Sequence, residues 1–362
     1  MSEKDIILIG EWQDKAIKMI EKGYKILILF CNGDSFLSYK ACRLYYNEQL
    51  VAEFPGVAPI KRFLSKFRLM VRLFRLEPRC AEKLDDERYV IEFKRAIWLV
   101  NTREKSIKKL AACADGFSGT LNICSDGENV FWGDYGSNYN RNAVNIYRCD
   151  QQEKITVVYT FKAGVIRHVH NIIWDKSIGK FWILTGDTDE ESAIYQTDKN
   201  WSQLEFIIGG SQKYRAVAAF PYKDGLIYAT DAVEKQNYLY YFSKETKTSE
   251  QLCEINGSCI YGGENAENYF FSTVVEPTEI SAHPKYLYTL GKGIKDWNVD
   301  VLKVSKIDGG VSIVMKLKKD LWPMRYFKYG CVVFPHGQEN SEDMIVYPIA
   351  VKKYDGRNLI IK

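Results

Sequence analysis

Histidine is scarce in this 362-residue chain, with four copies, and several informative patterns are missing altogether. No apolar run reaches the roughly 18 residues that a spanning helix needs. The opening stretch, MSEKDIILIGEW, has no cationic segment followed by a long apolar one, so no export signal is read and a cytoplasmic location is expected. The phosphate-cradling loops G-x-x-x-x-G-K-[ST] and G-x-G-x-x-G do not occur, nor does the nucleophile elbow G-x-S-x-G. Nucleotide-phosphate and serine-hydrolase chemistry therefore lack their usual elements. Cysteine numbers nine, an odd count without a C-x-x-C pair, and the copies are scattered through apolar stretches. That is the usage of free thiols filling a core in a reducing compartment. Charge of either sign is not in excess: 50 basic against 46 acidic residues gives a net charge of +4, and nothing in that balance points to nucleic acid.

What is present is a large apolar and aromatic content, 46% hydrophobic and 14% aromatic, with 24 tyrosines. Tyrosine favours strands and polar binding surfaces. Short apolar, aromatic segments recur, each closing on Gly, Asp, Pro or Thr: KILILF (25–30), RAIWLVNT (95–102), NVFWGDYG (129–136), KFWILTGD (180–187), GLIYATD (225–231), NYFFSTVVEP (268–277) and CVVFPHG (331–337). Most spacings are roughly 45 residues, the length of one four-stranded propeller blade. Between them, segments such as VNIYRCDQQEKITVVYTF (144–161) and VLKVSKIDGGVSIVMKL (301–317) read as strand, polar turn, strand. The pattern predicts an all-β protein, a seven-bladed β-propeller forming one domain over residues 1–362. The final segment, MIVYPIAVKKYDGRNLIIK, is expected to pair with N-terminal strands and close the ring, which leaves no open sheet edge.

Helical periodicity is confined to two places. Residues 11–21, EWQDKAIKMIE, read as a leading helix. Residues 60–79, IKRFLSKFRLMVRLFRLEPR, set Phe63, Phe67, Met70 and Phe74 on one arc and Lys61, Arg68, Arg72, Arg75 and Arg79 on the other, with Pro78 as the stop. This predicts one basic amphipathic helix inserted between the first two blades. It is expected either to pack across the propeller with a solvated basic edge, to lie peripherally on an anionic membrane, or to enter a partner's groove.

YQTDKNWSQLEF (195–206) is similar to a degenerate Asp-box, the S-x-D-x-G-x-x-W turn of sialidase-like propellers, with Lys199 and Asn200 where the central glycine would stand. Together with WGDYG, RHVHNIIWD, WILTGDTDEES, GGSQKYRAV, STVVEP and WPMRYFKYGCVVFP, the chain resembles bacterial sialidase-like, BNR-repeat propeller proteins over about residues 120–340. The resemblance implies a sialidase-like propeller and an association with polysaccharide (capsule) biosynthesis. Relatives of this kind include hydrolases, lyases and plain binders, so the activity stays open.

Candidate chemistry gathers where inner strands of a propeller would end. His168 and His170 flank Val169, so on a strand both imidazoles point to one face. They read as proton-transfer groups, as metal ligands if a further donor such as Asp187, Glu191 or His336 converges on them, or as hydrogen-bonded wall residues. GGSQKYRAV offers Gln212, Tyr214 and Arg215, where a guanidinium could grip a carboxylate and a tyrosine could stack on a sugar or pass a proton. TGDTDEES (185–192) concentrates carboxylates, Asp187 and Glu191 among them, and Glu276 follows an apolar strand that could raise its pKa. The catalytic candidates are thus His168, His170, Tyr214 and Glu276. The substrate-binding candidates are Arg167, Asp134, Tyr135, Asp187, Glu191, Gln212, Arg215 and Arg325.

No cofactor and no resident metal are expected. The function expected is action on, or binding of, an acidic polysaccharide or oligosaccharide. As a lyase, Arg167 or Arg215 would neutralise a uronate carboxylate while His168, His170 or Tyr214 removes the C5 proton. As a hydrolase, Glu276 and Asp187 would divide the carboxylate roles. The alternative is a noncatalytic glycan-binding or scaffold propeller at the membrane surface.

Overall fold

A computed structural model describes residues 26–33, 35–278 and 288–362. The helix expected over 11–21 lies outside the described residues. Seven small antiparallel sheets follow one another along the chain, each hydrogen-bonded in chain order. The first holds β1 (Leu27–Asn32), β2 (Ser35–Lys40), β3 (Arg43–Tyr46) and β4 (Gln49–Glu53). The second holds β5 (Ala81–Lys83), β6 (Arg88–Glu92), β7 (Ala96–Asn101) and β8 (Ser106–Ala112). The third holds β9 (Ile123–Ser125), β10 (Val130–Gly133), β11 (Val144–Cys149) and β12 (Ile155–Phe161). The fourth holds β13 (Val169–Asp175), β14 (Lys180–Thr185), β15 (Ala193–Asp198) and β16 (Glu205–Gly209). The fifth holds β17 (Ala216–Tyr222), β18 (Gly225–Thr230), β19 (Asn237–Ser243) and β20 (Thr248–Ile255). The sixth holds β21 (Cys259–Glu264), β22 (Asn268–Thr273), β23 (Asn298–Ser305) and β24 (Val311–Lys318). Among the described residues the last has three strands, β25 (Cys331–Val333), β26 (Met344–Ile349) and β27 (Leu359–Ile361).

The chain divides into two compact units, Met1–Glu77 with Ala232–Tyr238 and Cys253–Lys362, and Pro78–Asp231 with Leu239–Leu252. In the second unit β5 adjoins β9, β9 adjoins β13 and β13 adjoins β17. In the first unit β21 adjoins β25. First strands of successive sheets are therefore neighbours, which corrects the expected inner strands. Five of the seven apolar segments are interior strands of their sheets (β7, β10, β14, β18 and β22), and only the segments at β1 and β25 are first strands. An interior strand is flanked on both edges and covered on both faces, so it becomes the most apolar; β18 is buried throughout. Fourth strands such as β12 and β20 stay half exposed. Among the described residues the final segment pairs with β25; any pairing with residues 1–25 lies outside the described residues. It meets β1 by packing of Ile345 and Ile360 on Ile28 and Cys31, and Asn358 donates to the Ile26 carbonyl at 2.8 Å. All nine cysteines are free, seven of them buried.

The span 60–79 departs from expectation. Instead of one helix there are two of six residues, α1 (Pro59–Leu64) and α2 (Arg68–Leu73), separated where Phe67 turns extended at φ −108°. The second ends at Leu73, well before Pro78, and Arg75 follows in the left-handed region at φ 50°. Its polarity is also reversed. Phe63, Phe67 and Phe74 are exposed, whereas Arg68 and Arg72 are buried in an ionic network of the first unit. Arg68 pairs with Glu77 at 2.5 Å and Asp355 at 3.0 Å; Arg72 pairs with Asp320 at 2.5 Å and donates to the Phe327 carbonyl at 2.6 Å. Lys328 reaches Glu77 at 3.1 Å and Lys319 pairs with Asp320. Burial would raise the Glu77 carboxyl, but the Arg68 and Lys328 charges outweigh it and hold the group at about 2. With Arg68 and Arg72 committed inward, the cationic arc that motivated membrane contact through 60–79 keeps Lys61, Arg75 and Arg79 exposed and loses its two central members. Among the described residues no helix is long and apolar enough to cross a membrane.

Candidate active site

The fourth sheet builds the site. Val169 pairs with Thr185 and Asn171 with Leu184, so His170 is the extra residue of a β-bulge. Bulges re-aim side chains, and this one turns the His170 ring toward the end of β14. His168 and His170 are buried, their rings 5.0 Å apart and inclined at 30°. The expectation that both imidazoles share a face holds. Each ring is anchored through Nδ1, which lies 2.6 Å from the Gly136 carbonyl for His168 and 3.0 Å from the Ala216 carbonyl for His170. A carbonyl only accepts, so Nδ1 carries the hydrogen in both rings. Both Nε2 atoms then turn toward one oxygen of Asp187, at 3.6 and 3.5 Å. His168 Nε2 is buried without a hydrogen-bond partner.

Asp187 is held there at backbone expense. Its φ of 122° is a conformation that glycine adopts readily and side-chain-bearing residues rarely do, costing on the order of 1–3 kcal/mol. Its carbonyl accepts from Gln212 Nε2 at 3.0 Å and Arg215 at 3.1 Å, and Gln212 in turn takes Asp189 on its backbone N–H at 3.0 Å. Gly186 precedes it because a Cβ there would lie 2.2 Å from the His170 ring. His170 moves down, chiefly because burial disfavours its charged form, with the neighbouring Arg215 charge adding to it.

Three guanidiniums and three carboxylates surround this centre. Arg215 reaches the Asp187 carboxylate at 3.4 Å and Asp231 at 3.8 Å; Arg167 reaches Asp187 at 3.8 Å and Glu191 at 3.5 Å. Arg141 pairs with Glu191 at 2.5 Å, and the Glu191 side chain is wholly buried. Arg141, Arg167 and Asp187 keep a quarter to a third of their side chains exposed. Tyr135 is partly exposed with its ring 4.4 Å from that of His168 and the Arg79 guanidinium 5.4 Å from its centre.

Of the expected residues, His168, His170, Asp187, Arg167, Glu191, Gln212, Arg215 and Tyr135 come together. Asp134 does so only through its backbone: its carboxylate accepts from the Asn145 N–H at 3.0 Å and from Tyr147 at 3.3 Å, and burial raises its pKa. Tyr214 ends the short helical turn Gln212–Tyr214, with Lys213 6.0 Å from its ring. Glu276 and Arg325 belong to the first unit, where Glu276 accepts from Ser258 and Arg325 donates to the Thr278 carbonyl at 2.9 Å. Arg141 and Gly136 were not anticipated. Both lie in the polar β10–β11 connection, which carries no local signal, whereas Gly186 directly after an apolar strand was a readable mark of close approach. The turn between β15 and β16 is structural: Asp198 accepts from the backbone of Asn200 and Ser202, and Trp201 packs on Phe131 and Phe181.

No protein-family model matches the chain, and no curated protein sequence matches it. Solved structures do share its fold. An oligogalacturonate lyase in complex with manganese superposes with a TM-score of 0.53 at 10% identity, over 92% of this chain and 89% of that one. The oligogalacturonate lyase of Vibrio parahaemolyticus gives 0.51 at 9% identity, over 93% and 91%. A puromycin-hydrolysing peptidase of Mycobacterium tuberculosis gives 0.50 at 10% identity, over 92% of this chain and 51% of that one. At these identities the likeness defines architecture alone. The chain is an all-β, seven-bladed β-propeller.

Proposed function

We propose that this propeller takes an acidic oligosaccharide at the blade-four cluster and cleaves it by β-elimination, residues 1–362 acting as one domain of sialidase-like type. The observation that carries the reading is the set of three guanidiniums, two of them part exposed, around one strained carboxylate and two buried imidazoles. Arg141 and Arg167 offer their exposed edges to a uronate carboxylate, and neutralising that group makes the adjacent C5 proton more acidic. The elimination passes the C5 proton to a phenolate oxygen, turns its bonding pair into a C4=C5 double bond, and expels the C4 oxygen, which takes a proton from water. Because both imidazoles are buried with Nε2 turned onto Asp187, the proton acceptor is assigned to the phenolate of Tyr135, the partly exposed titratable group against His168. Solved oligogalacturonate lyases of the same fold are consistent with an acidic oligosaccharide substrate.

Hydrolysis fits less well. It requires a second carboxyl that stays protonated near neutrality beside Asp187, and the neighbouring carboxylates Glu191 and Asp231 are both paired with arginines. The test is incubation of the purified protein with a panel of acidic glycans, following ultraviolet absorbance of the unsaturated uronate and, separately, reducing ends. Absorbance that rises with cleavage, and falls in Tyr135→Phe and Arg167→Ala, is the expected result. Reducing ends without absorbance would replace the lyase by a hydrolase. Glycan binding without either signal would replace it by a scaffold.

A further inference from the structure

We infer that His168 Nε2, His170 Nε2 and one carboxylate oxygen of Asp187 hold a single divalent transition-metal ion. This deepens the proposed function, resting on the same site, but it stands on separate observations. The three atoms lie within 4.8 Å of one another. The two Nε2–Oδ1 separations, 3.6 and 3.5 Å, are too long for charge-assisted hydrogen bonds, which run at about 2.7–2.9 Å. They match two donors sharing an ion instead: ligands each about 2.1 Å from a metal, at a tetrahedral angle, stand roughly 3.4 Å apart.

The hydrogen positions lead to the same place. With both Nδ1–H groups given to the Gly136 and Ala216 carbonyls, each neutral ring turns a lone pair toward the carboxylate. Three acceptors facing inward repel unless something positive lies between them. The backbone carbonyls behind the rings are the outer support that metal-bound histidines usually have, fixing tautomer and ring angle together. The bulge at His170, the bare Cα of Gly186 and the strained Asp187 backbone bring the donors to this spacing. Two imidazoles and a carboxylate suit Zn²⁺, Co²⁺ or Mn²⁺ better than the all-oxygen preference of Ca²⁺ or Mg²⁺. Arg141, Arg167 and Arg215 are balanced in number by Asp187, Glu191 and Asp231. A bound dication therefore leaves the cluster positive toward an anionic substrate.

The experiment uses the full chain, stripped with chelator and titrated without substrate by ZnCl₂, CoCl₂ or MnCl₂ in a calorimeter. The expected result is one ion per chain for at least one metal, a visible-range absorption band for Co²⁺, and a raised melting temperature. Asp187→Asn, which keeps the side-chain volume, and His170→Ala should each weaken binding by roughly a hundredfold. Should His170→Ala not fold, Asp187→Asn and the wild-type melting shift still decide. Absence of saturable binding by all three ions overturns the inference, as does binding that neither variant disturbs, such as binding to thiols. A site that binds metal in a protein that cleaves no acidic glycan overturns the functional reading alone. Full cleavage by a metal-free protein that binds no ion overturns the metal site alone.

Discussion

Replacing Gly186 by alanine adds one methyl group at the most crowded point of the site. The new Cβ would lie 2.2 Å from His170 Cε1, 2.8 Å from Nδ1 and 3.0 Å from Nε2. Carbon atoms settle at about 3.5–4.0 Å, so the ring must withdraw by more than ~1 Å. The ring is buried and cannot swing into solvent, and withdrawal breaks the 3.0 Å bond to Ala216 while moving Nε2 off Asp187. Overpacking costs about 1–3 kcal/mol and the lost hydrogen bond about 1 more, so the variant should lose roughly 2–4 kcal/mol. That leaves a folded protein, since domains hold about 5–15 kcal/mol. Donor atoms displaced by more than ~0.5 Å no longer serve a site, so metal affinity and glycan cleavage should fall at least tenfold. Urea unfolding and calorimetric titration of the same preparation read both effects. A variant with unchanged unfolding midpoint and unchanged affinity would show that the ring is not seated against Gly186, and the account of the site would fail with it.

The buried pair around Glu77 sets an acid limit. Its carboxyl is held at about 2 against an ordinary 4.5, a depressed value, so its contribution of about 3 kcal/mol is complete above pH 4.5 and lost as pH falls toward 2. Glu77→Gln should cost ~3–5 kcal/mol at neutral pH and flatten that acid slope in urea midpoints; an unchanged slope would refute the pairing. Trp201→Ala, which empties the space beside Phe131 and Phe181, should destabilise by about 3–5 kcal/mol in the same assay. Arg141→Ala leaves the buried Glu191 carboxylate with only the longer Arg167 contact, and should lower both stability and the apparent affinity for acidic glycans; unchanged KM would remove Arg141 from the site. Phe63→Ser with Phe67→Ser should shift stability by less than about 1 kcal/mol, because both rings are exposed, and should leave liposome co-sedimentation at its wild-type level.

Much of the architecture is legible along the chain because strands, turns and hairpins are local. Apolar segments closing on Gly or Asp, separated by polar turns, specify small antiparallel sheets whatever else happens. His168 and His170 do turn to one centre, but His168 precedes β13 and His170 sits in a β-bulge, so simple alternation along a strand does not account for it. Strand rank within a sheet was not legible, since an apolar run records burial on both faces and not nearness to an axis. The reversed polarity of 60–79 was hidden for a different reason. Besides the nearby Glu77, the partners of Arg68 and Arg72 are Asp320 and Asp355, brought from the far end of the chain, and a helical wheel of arginines cannot know that those acids will meet it. The site divides along the same line. Residue types at its centre follow from the sequence, but only folding supplies the Gly136 and Ala216 carbonyls that fix both tautomers, the Arg141–Glu191 pair, and the bare Cα of Gly186 against the ring. Local patterning decides which residues can form a strand. Long-range packing decides which lone pairs, charges and strained bonds face one another, because those energies depend on distances that chain order does not encode.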